Sequence, residues 1–377
     1  MVEPGTGARI ARLRRRRGIS QVALAGLVGR SESWLSQVER GQRGVDSLAV
    51  LREVARVLRV HLDDLVPGSP TGPRDNAEHA HAAVEQALLA PGPAPSMTAA
   101  MVAAVHNAYQ DARYGEVLAG LPELATRLAG TTDPRVLAAG WTVAAKILTK
   151  VGSMDLALLA ADRARGGAWR SGHPADLGMA SYQLVCALLP TGRAAVGEDL
   201  ATNVASTIDP IDDGARSVAG ALWLIAAVAA ARRGDGDVAG EWLDRAWRTA
   251  DALGRDANLW WTAFGPTNVA LHRVAVTAEL GDAPAALVAA SGLDVKRFAP
   301  ALRSRRVQVG LDVAWAHTRL HHDADAVLAL LDVEREAADA TRHNVYARTT
   351  ISTLLGRARG TTGVHVRALA ARSGVGL

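Results

Sequence analysis

Glu32, Ser33, Ser36 and Gln37 lie within the stretch SESWLSQVERG, residues 31–41. Their spacing puts all four on one helical face, while Leu35 and Val38 turn to the other. None has an acid–base partner nearby in sequence, so the chemistry on offer is hydrogen bonding to a patterned surface. A helix fits the B-DNA major groove with its N-terminal half against base edges. There Gln37 can bond an adenine or a guanine, Glu32 can accept from a cytosine amino group, and Ser33 and Ser36 can donate or accept.

The elements that would hold this face in place are legible on either side. Ser20 is a suitable N-cap for a helix over QVALAGLVG, and Ser31 for a helix ending at Gly41. Ala25 and Gly29, four apart, supply the small residue and the turn glycine that a steep helix crossing needs. Leu24, Val28, Leu35 and Val38 close the core between the two helices. A preceding helix over residues 6–17 carries Ile10 and Leu13 inward and stops at Gly18. A fourth, over 46–60, has Leu48, Leu51, Val54, Ala55 and Leu58 on one face, and residues 62–66 form a short last turn. The pattern predicts five short helices within residues 1–66. That segment holds 12 Arg against 7 acidic residues, whereas the rest of the chain is nearly neutral and the whole carries +4. Concentrated basic charge marks a polyanionic partner.

Gln21, Ala25, Gly29, Leu35, Val38 and the ERG at 39–41 together resemble the lambda-repressor-like helix-turn-helix domain of the Xre family. The resemblance covers residues 6–66 and implies a five-helix DNA-binding fold. It also implies a partly buried ion pair between Arg14 and Glu39, and a homodimer on a pseudo-palindromic double-stranded DNA operator. Gln21, Arg30 and Arg43 are placed to hold phosphates. Trp34 can lie along the DNA backbone or pack on the domain's own surface.

Residues 67–76, PGSPTGPRDN, cannot hold a helix and read as a linker, and PGPAP at 91–95 is a second break. We place the linker at 67–96, with a helix over 77–90. From 97 to 377 the pattern is of long helices joined by short Gly/Asp turns. Small or apolar residues recur at i, i+4 and i+7: Ala157, Ala161, Ala164; Gly197, Ala201, Val204; Ala239, Leu243, Ala246; Ala286, Ala290, Leu293; Ala326, Leu330, Val333. This resembles the second helix of tetratricopeptide repeats, with a period longer than their usual ~34 residues. The expected fold is therefore all-α, a helix-turn-helix domain joined to a tetratricopeptide-like solenoid.

That domain order resembles peptide-responsive bacterial regulators, including large actinobacterial ones. In such regulators asparagines on the inner helices hold the ligand. The segment NLWWTAFGPTNVALHR, 258–273, supplies Trp260, Trp261, Phe264 and Asn268, with Gly265-Pro266 interrupting the helix. Asn107, Gln183, Trp223 and Arg305 are further groove candidates on first helices of the repeats, and Trp141 and Trp315 share that placement.

A single cysteine, Cys186, excludes an intramolecular disulfide. No charged-then-apolar leader opens the chain, and the longest apolar run, residues 220–231, is shorter than a membrane span. Walker, G-x-S-x-G and H-E-x-x-H motifs are lacking. His317 and His321 are four apart beside His322 and Asp323, with no third ligand evident, so no metal and no cofactor is expected. The resulting expectation is a cytoplasmic, nucleoid-associated transcriptional regulator, not an enzyme. It binds DNA as a dimer and responds to a peptide or small molecule. The alternative is an interaction scaffold or constitutive regulator whose repeats only dimerise or bind a partner protein.

Overall fold

The computed structural model describes residues 6–16, 19–43, 45, 50, 53–54, 57–58, 82, 84–86, 95–294, 298–299 and 302–375. The chain divides into two compact units, residues 1–72 and 73–377. Among the described residues there is no strand. The expected last turn at 62–66 and the linker at 67–76 lie outside them.

In the first unit, α1 (Thr6–Arg16), α2 (Gln21–Leu27) and α3 (Glu32–Glu39) are capped as their sequences demand. Ser20 Oγ accepts from Ala23 N at 3.0 Å, and Ser31 Oγ from Trp34 N at 3.2 Å. Both α2 and α3 end in Schellman closures. Arg30 N donates to Ala25 O and Gln42 N to Gln37 O, with Gly29 and Gly41 at φ +66° and +71°. Ile10, Leu24, Ala25, Val28, Leu35 and Val38 form the core, joined by Val50, Val54 and Leu58 from the helical residues of the expected fourth helix. A side chain at Gly7 would sit 1.8 Å from Val38 O, so α1 runs against the backbone of α3.

The second unit is built of helix pairs. α4 (Ala99–Gln110) and α5 (Tyr114–Ala129) come first. Then α6 (Pro134–Val151) packs on α7 (Met154–Ser171), α8 (Pro174–Leu188) on α9 (Ala194–Thr207), and α10 (Asp213–Arg232) on α11 (Gly236–Leu253). α12 (Pro266–Glu279) packs on α13 (Ala283–Ser291), and α14 (Arg303–Arg319) on α15 (Asp323–Glu336). α16 (Ala338–His343), α17 (Val345–Arg357) and α18 (Gly360–Ser373) complete the unit. Asp133, Asp212, Asp235 and Asp282 cap helices, and Pro134, Pro174 and Pro266 sit in first turns, where a missing N–H costs nothing.

The small-residue triplets fall on second helices of the pairs, except that Leu293 lies just past the end of α13. Ala157, Ala161, Ala164, Ala239, Ala246, Ala326 and Leu330 are fully buried. Small side chains there let the paired helix approach closely. Val204, Ala290 and Leu293 are only half-buried. α10 is the one helix among the described residues long and apolar enough to cross a membrane. It is mostly buried among α8, α9, α11 and α12, the position of a core helix.

The array closes on itself. α4 touches α14 and α17 touches α6. Gly115 N donates to Asp339 Oδ2 at 2.8 Å across 224 residues. The first helices of the pairs therefore face a shared interior. Val84, from the expected 77–90 helix, joins this unit's core, and Met97 N donates to Thr131 Oγ1.

Candidate nucleic-acid interface and ligand cavity

Leu35 and Val38 anchor α3 in the first unit's core, at 0% and 1% exposure. That fixes the rotation of the helix. Glu32 and Ser33 are exposed, and Ser36 and Gln37 half-buried, on the outward side. Among the described residues no hydrogen bond occupies any of these four side chains, so the donors and acceptors are available to a partner. Arg30 and Arg43 are exposed beside them. Arg40, which the sequence reading passed over, is exposed as well, and its Nε donates to Ser36 O.

Behind this face lies the Arg14–Glu39 pair. Arg14 Nε donates to Glu39 Oε1 at 2.6 Å and Nη2 to Oε2 at 2.8 Å, while Nη1 reaches Ile19 O. Burial pushes the Glu39 carboxyl up, but the hydrogen bonds from Arg14 and Gln21 and the Arg14 charge outweigh it and hold the group below the ordinary glutamate value. The hydrogen bond to Glu39 raises the Arg14 guanidinium in turn. The pair ties α1 to the end of α3.

Two of the phosphate candidates also make contacts within the domain. Gln21 Nε2 donates to Glu39 Oε2 at 2.7 Å, because the first residue of α2 faces the buried carboxylate, so one of its two amide hydrogens is engaged within the domain. Trp34 is half-buried against the domain core, with the Arg30 guanidinium 5.8 Å from its ring centroid. It packs on its own domain, and the pairing sets Arg30 over its ring.

In the second unit the first helices enclose a cavity of about 660 Å³. Of the groove candidates, Gln183, Arg305, Trp261 and Trp315 line it. The others do not. Asn268 is buried at 1% exposure in the first turn of α12, its Oδ1 without a partner, and His272 one turn later reaches the cavity instead. Phe264 fills a site against α10 where a Cβ on Gly220 would lie 2.0 Å from its ring. Burying that ring stabilises the fold by about 1.5–3 kcal/mol. Trp223 stacks on Trp242 at 5.4 Å, with Arg245 over both rings. Trp260 lines a separate small crevice and lies under Arg135, and Asn107 is exposed.

The expected interrupted helix over 258–273 is also different. Pro266 begins α12, and the residues before it form a tight loop. Trp260, Trp261 and Ala263 are left-handed at φ 53°, 54° and 52°. Such residues cost of order 1–3 kcal/mol each and persist only where the surroundings dictate them. Here Asn258 Oδ1 accepts from Ala263 N, Gln110 Nε2 donates to Trp261 O at 3.2 Å, and Arg305 Nη2 donates to Thr262 O at 3.1 Å. Trp261 stacks on His106 with centroids 4.0 Å apart. This clamp escaped the sequence reading, since its members come from α4, the loop and α14.

The cavity carries more charge than its sequence neighbours suggest. Lys146 and Lys150 on α6 line it, with Arg232 and Glu279 paired to each other, and Asp312 from α14. Burial, and then the Arg305 charge, pull Lys146 down to about 7 and Lys150 to about 8. Burial pushes Asp312 up to about 7, against the opposing hydrogen bond that Gln308 Nε2 donates at 3.0 Å. Burial takes His272 down to about 4 and the Cys186 thiol up to about 11, so both are neutral near pH 7.

The His317–His321 pairing does not form. His321 is left-handed at φ 60° in the turn after α14, and His317 instead meets His322 and Asp325, their ligand atoms within 4.8 Å of one another. The latter two residues are exposed.

A protein family described as a helix-turn-helix domain matches residues 7–67. No curated protein matches the chain. Among solved structures the chain is similar to PlcR of Bacillus thuringiensis in complex with the peptide PapR7 and DNA. The identity is 14%, over 76% of this chain and 94% of that one, with a TM-score of 0.33. At that score the likeness is loose.

Proposed function

With a helix-turn-helix domain at residues 7–67 as the premise, we propose that this chain is a sequence-specific DNA-binding transcriptional regulator. In this reading it acts as a homodimer in the cytoplasm, catalyses no reaction, and its repeat unit binds a ligand that changes DNA binding. The observation that carries the reading is the α3 face, where Glu32, Ser33, Ser36 and Gln37 stand unbonded above the buried Leu35 and Val38. A face of unspent donors and acceptors on a rigidly seated helix suits base-edge readout. Arg30 and Arg43 supply phosphate contacts, which position the helix without reading sequence.

The sensing half rests on the cavity. Its volume of about 660 Å³ falls in the range of about 300–1,000 Å³ common for small-molecule sites. It suits a small molecule or a short peptide held inside a closed ring, rather than a long segment laid along an open groove. Filling it would favour one arrangement of the ring over others, and so one spacing of the two DNA-binding heads. Only a matching spacing engages both half-sites of a palindrome.

The test is a footprint on the DNA upstream of the gene, at fixed salt, with and without extract of the native culture. A protected palindrome whose protection changes with extract is the expected result. Protection indifferent to extract would remove the sensing half. Failure to select any sequence from random DNA would remove the DNA-reading half.

A further inference from the structure

The chain contains 39 Arg and three Lys. Two of those three lysines, Lys146 and Lys150, line the cavity; the third, Lys296, lies outside the described residues. Elsewhere the described cations are arginines, most of them at the surface or in ion pairs. Placing lysine twice in one interior is a departure with a physical meaning. A lysine ammonium is a compact charge on a flexible stem that adjusts to its surroundings, unlike the rigid guanidinium fork.

The two lysines are four residues apart on α6, so their ammonium groups share one helix face, an arrangement that repels. Lys146 is 8% exposed, and among the described residues neither ammonium group is hydrogen-bonded or in a close ion pair, although the Asp312 charge acts on Lys150 from across the cavity. Arg305 joins them on the cavity wall, where its Nη2 donates to the Thr262 carbonyl and its guanidinium also reaches the Tyr182 hydroxyl. The acids nearby offset this charge only in part. Glu279 is held by Arg232, and Asp312 has one oxygen bonded by Gln308 while Oδ2 has no partner. Unpaired buried charge is costly in a folded chain and is retained where a bound partner compensates it.

We propose that the cavity binds a small organic anion, a carboxylate or a phosphate ester, whose charged group is held by Lys146, Lys150 and Arg305. The inference rests on reading the cavity as a ligand site and names the class of ligand. Trp261, Met179 and Leu271, on the same wall, receive the apolar body. The depressed values of both lysines fit the assignment, since burial and the Arg305 charge act on ammonium groups that the nearby acids offset only in part.

The experiment titrates the full-length protein with anilinonaphthalene sulfonate, an aromatic dye carrying one anionic group, and with its uncharged parent phenylnaphthylamine. One saturable site is expected, with the sulfonate bound at least tenfold more tightly. The double variant Lys146→Met with Lys150→Met removes that preference and leaves the neutral dye unaffected. Circular dichroism checks the fold, and should the double variant fail to fold, Lys150→Met alone lowers the preference at least threefold. Equal binding of the two dyes, or an unchanged preference in the variants, overturns the anion assignment while the cavity stands as a ligand site. Binding of neither dye overturns both readings. Displacement of the sulfonate by benzoate but not benzamide identifies a carboxylate, and displacement by phenyl phosphate a phosphate ester. Displacement by neither confines the effect to the dye and overturns the proposal.

Discussion

Gln110 and Asn258 exchange both of their amide hydrogen bonds across 148 residues. Gln110 Nε2 donates to Asn258 Oδ1 at 2.9 Å, and Asn258 Nδ2 to Gln110 Oε1 at 2.8 Å. The same Gln110 nitrogen reaches Trp261 O, and the same Asn258 oxygen accepts from Ala263 N. One amide pair thus joins α4 to the strained loop and holds three left-handed residues in place.

Asn258→Ala removes every side-chain restraint that this residue places on the loop and leaves Gln110 Oε1 without its donor. We expect a loss of about 1–3 kcal/mol, read as a lower urea midpoint with the slope unchanged. Trp261 should leave its stack on His106, and tryptophan emission should shift to the red. Unchanged midpoint and emission would show that the loop holds its shape without the pair.

The Arg14–Glu39 pair gives a second test. Its side chains are 11% and 6% exposed, and breaking a buried pair costs about 3–5 kcal/mol. Some solvent screening remains here, so we expect Arg14→Met to cost about 2–3 kcal/mol. Glu39 titrates lower in the folded state than unfolded. Its contribution is therefore present above the ordinary glutamate value and lost as pH falls through the folded one. Thermal melts of the isolated N-terminal unit, if it folds alone, or of the full chain should show acid sensitivity in wild type that Arg14→Met lacks.

The legible parts of this molecule were those whose causes are local. Ala25, Gly29, Leu35 and Val38 define the helix crossing within 14 residues, and Ser20 and Ser31 cap the next turn of their own helices. The small triplets mark second helices because a close approach needs them wherever the partner comes from. The inner wall of the array was not legible, because it depends on which face of each first helix turns inward. On α10 nearly every face is apolar, and 14 of its residues are buried. Asn268 and His272 share one stripe of α12, yet only the second reaches the cavity. Lys146, Gln110 and Asn258 are unremarkable in their own neighbourhoods and acquire meaning only when the ring closes.

The base-reading assignment separates from phosphate binding by its sequence dependence. Gln37→Ala should weaken binding to the selected operator by about 1–3 kcal/mol and leave random DNA unaffected. Arg43→Ala should weaken both alike and reduce the slope of log affinity against log salt by about one. Fluorescence anisotropy at several salt concentrations measures both. Equal losses on operator and random DNA for Gln37→Ala would exclude base reading by that residue.

The cavity charges also predict how stability varies with pH. Asp312 has a folded value of about 7 against an ordinary 3.8, so the folded state holds its proton longer. That contribution is full below the unfolded value and is lost as pH rises through about 7. Lys146 and Lys150 run the other way. At about 7 and about 8 they lie below the ordinary 10.5, so the unfolded chain binds more protons between those values and stability rises with pH there. These three groups together therefore give a minimum near neutral pH, with the melting temperature higher by several degrees on both sides. Lys146→Met with Lys150→Met should abolish the rise on the alkaline side while keeping the fall on the acid side, because only Asp312 remains to titrate. A bound anion compensates the ammonium charge and should fill in the minimum, so melting curves at pH 6, 7 and 9, with and without anilinonaphthalene sulfonate, follow the same three side chains without reference to DNA.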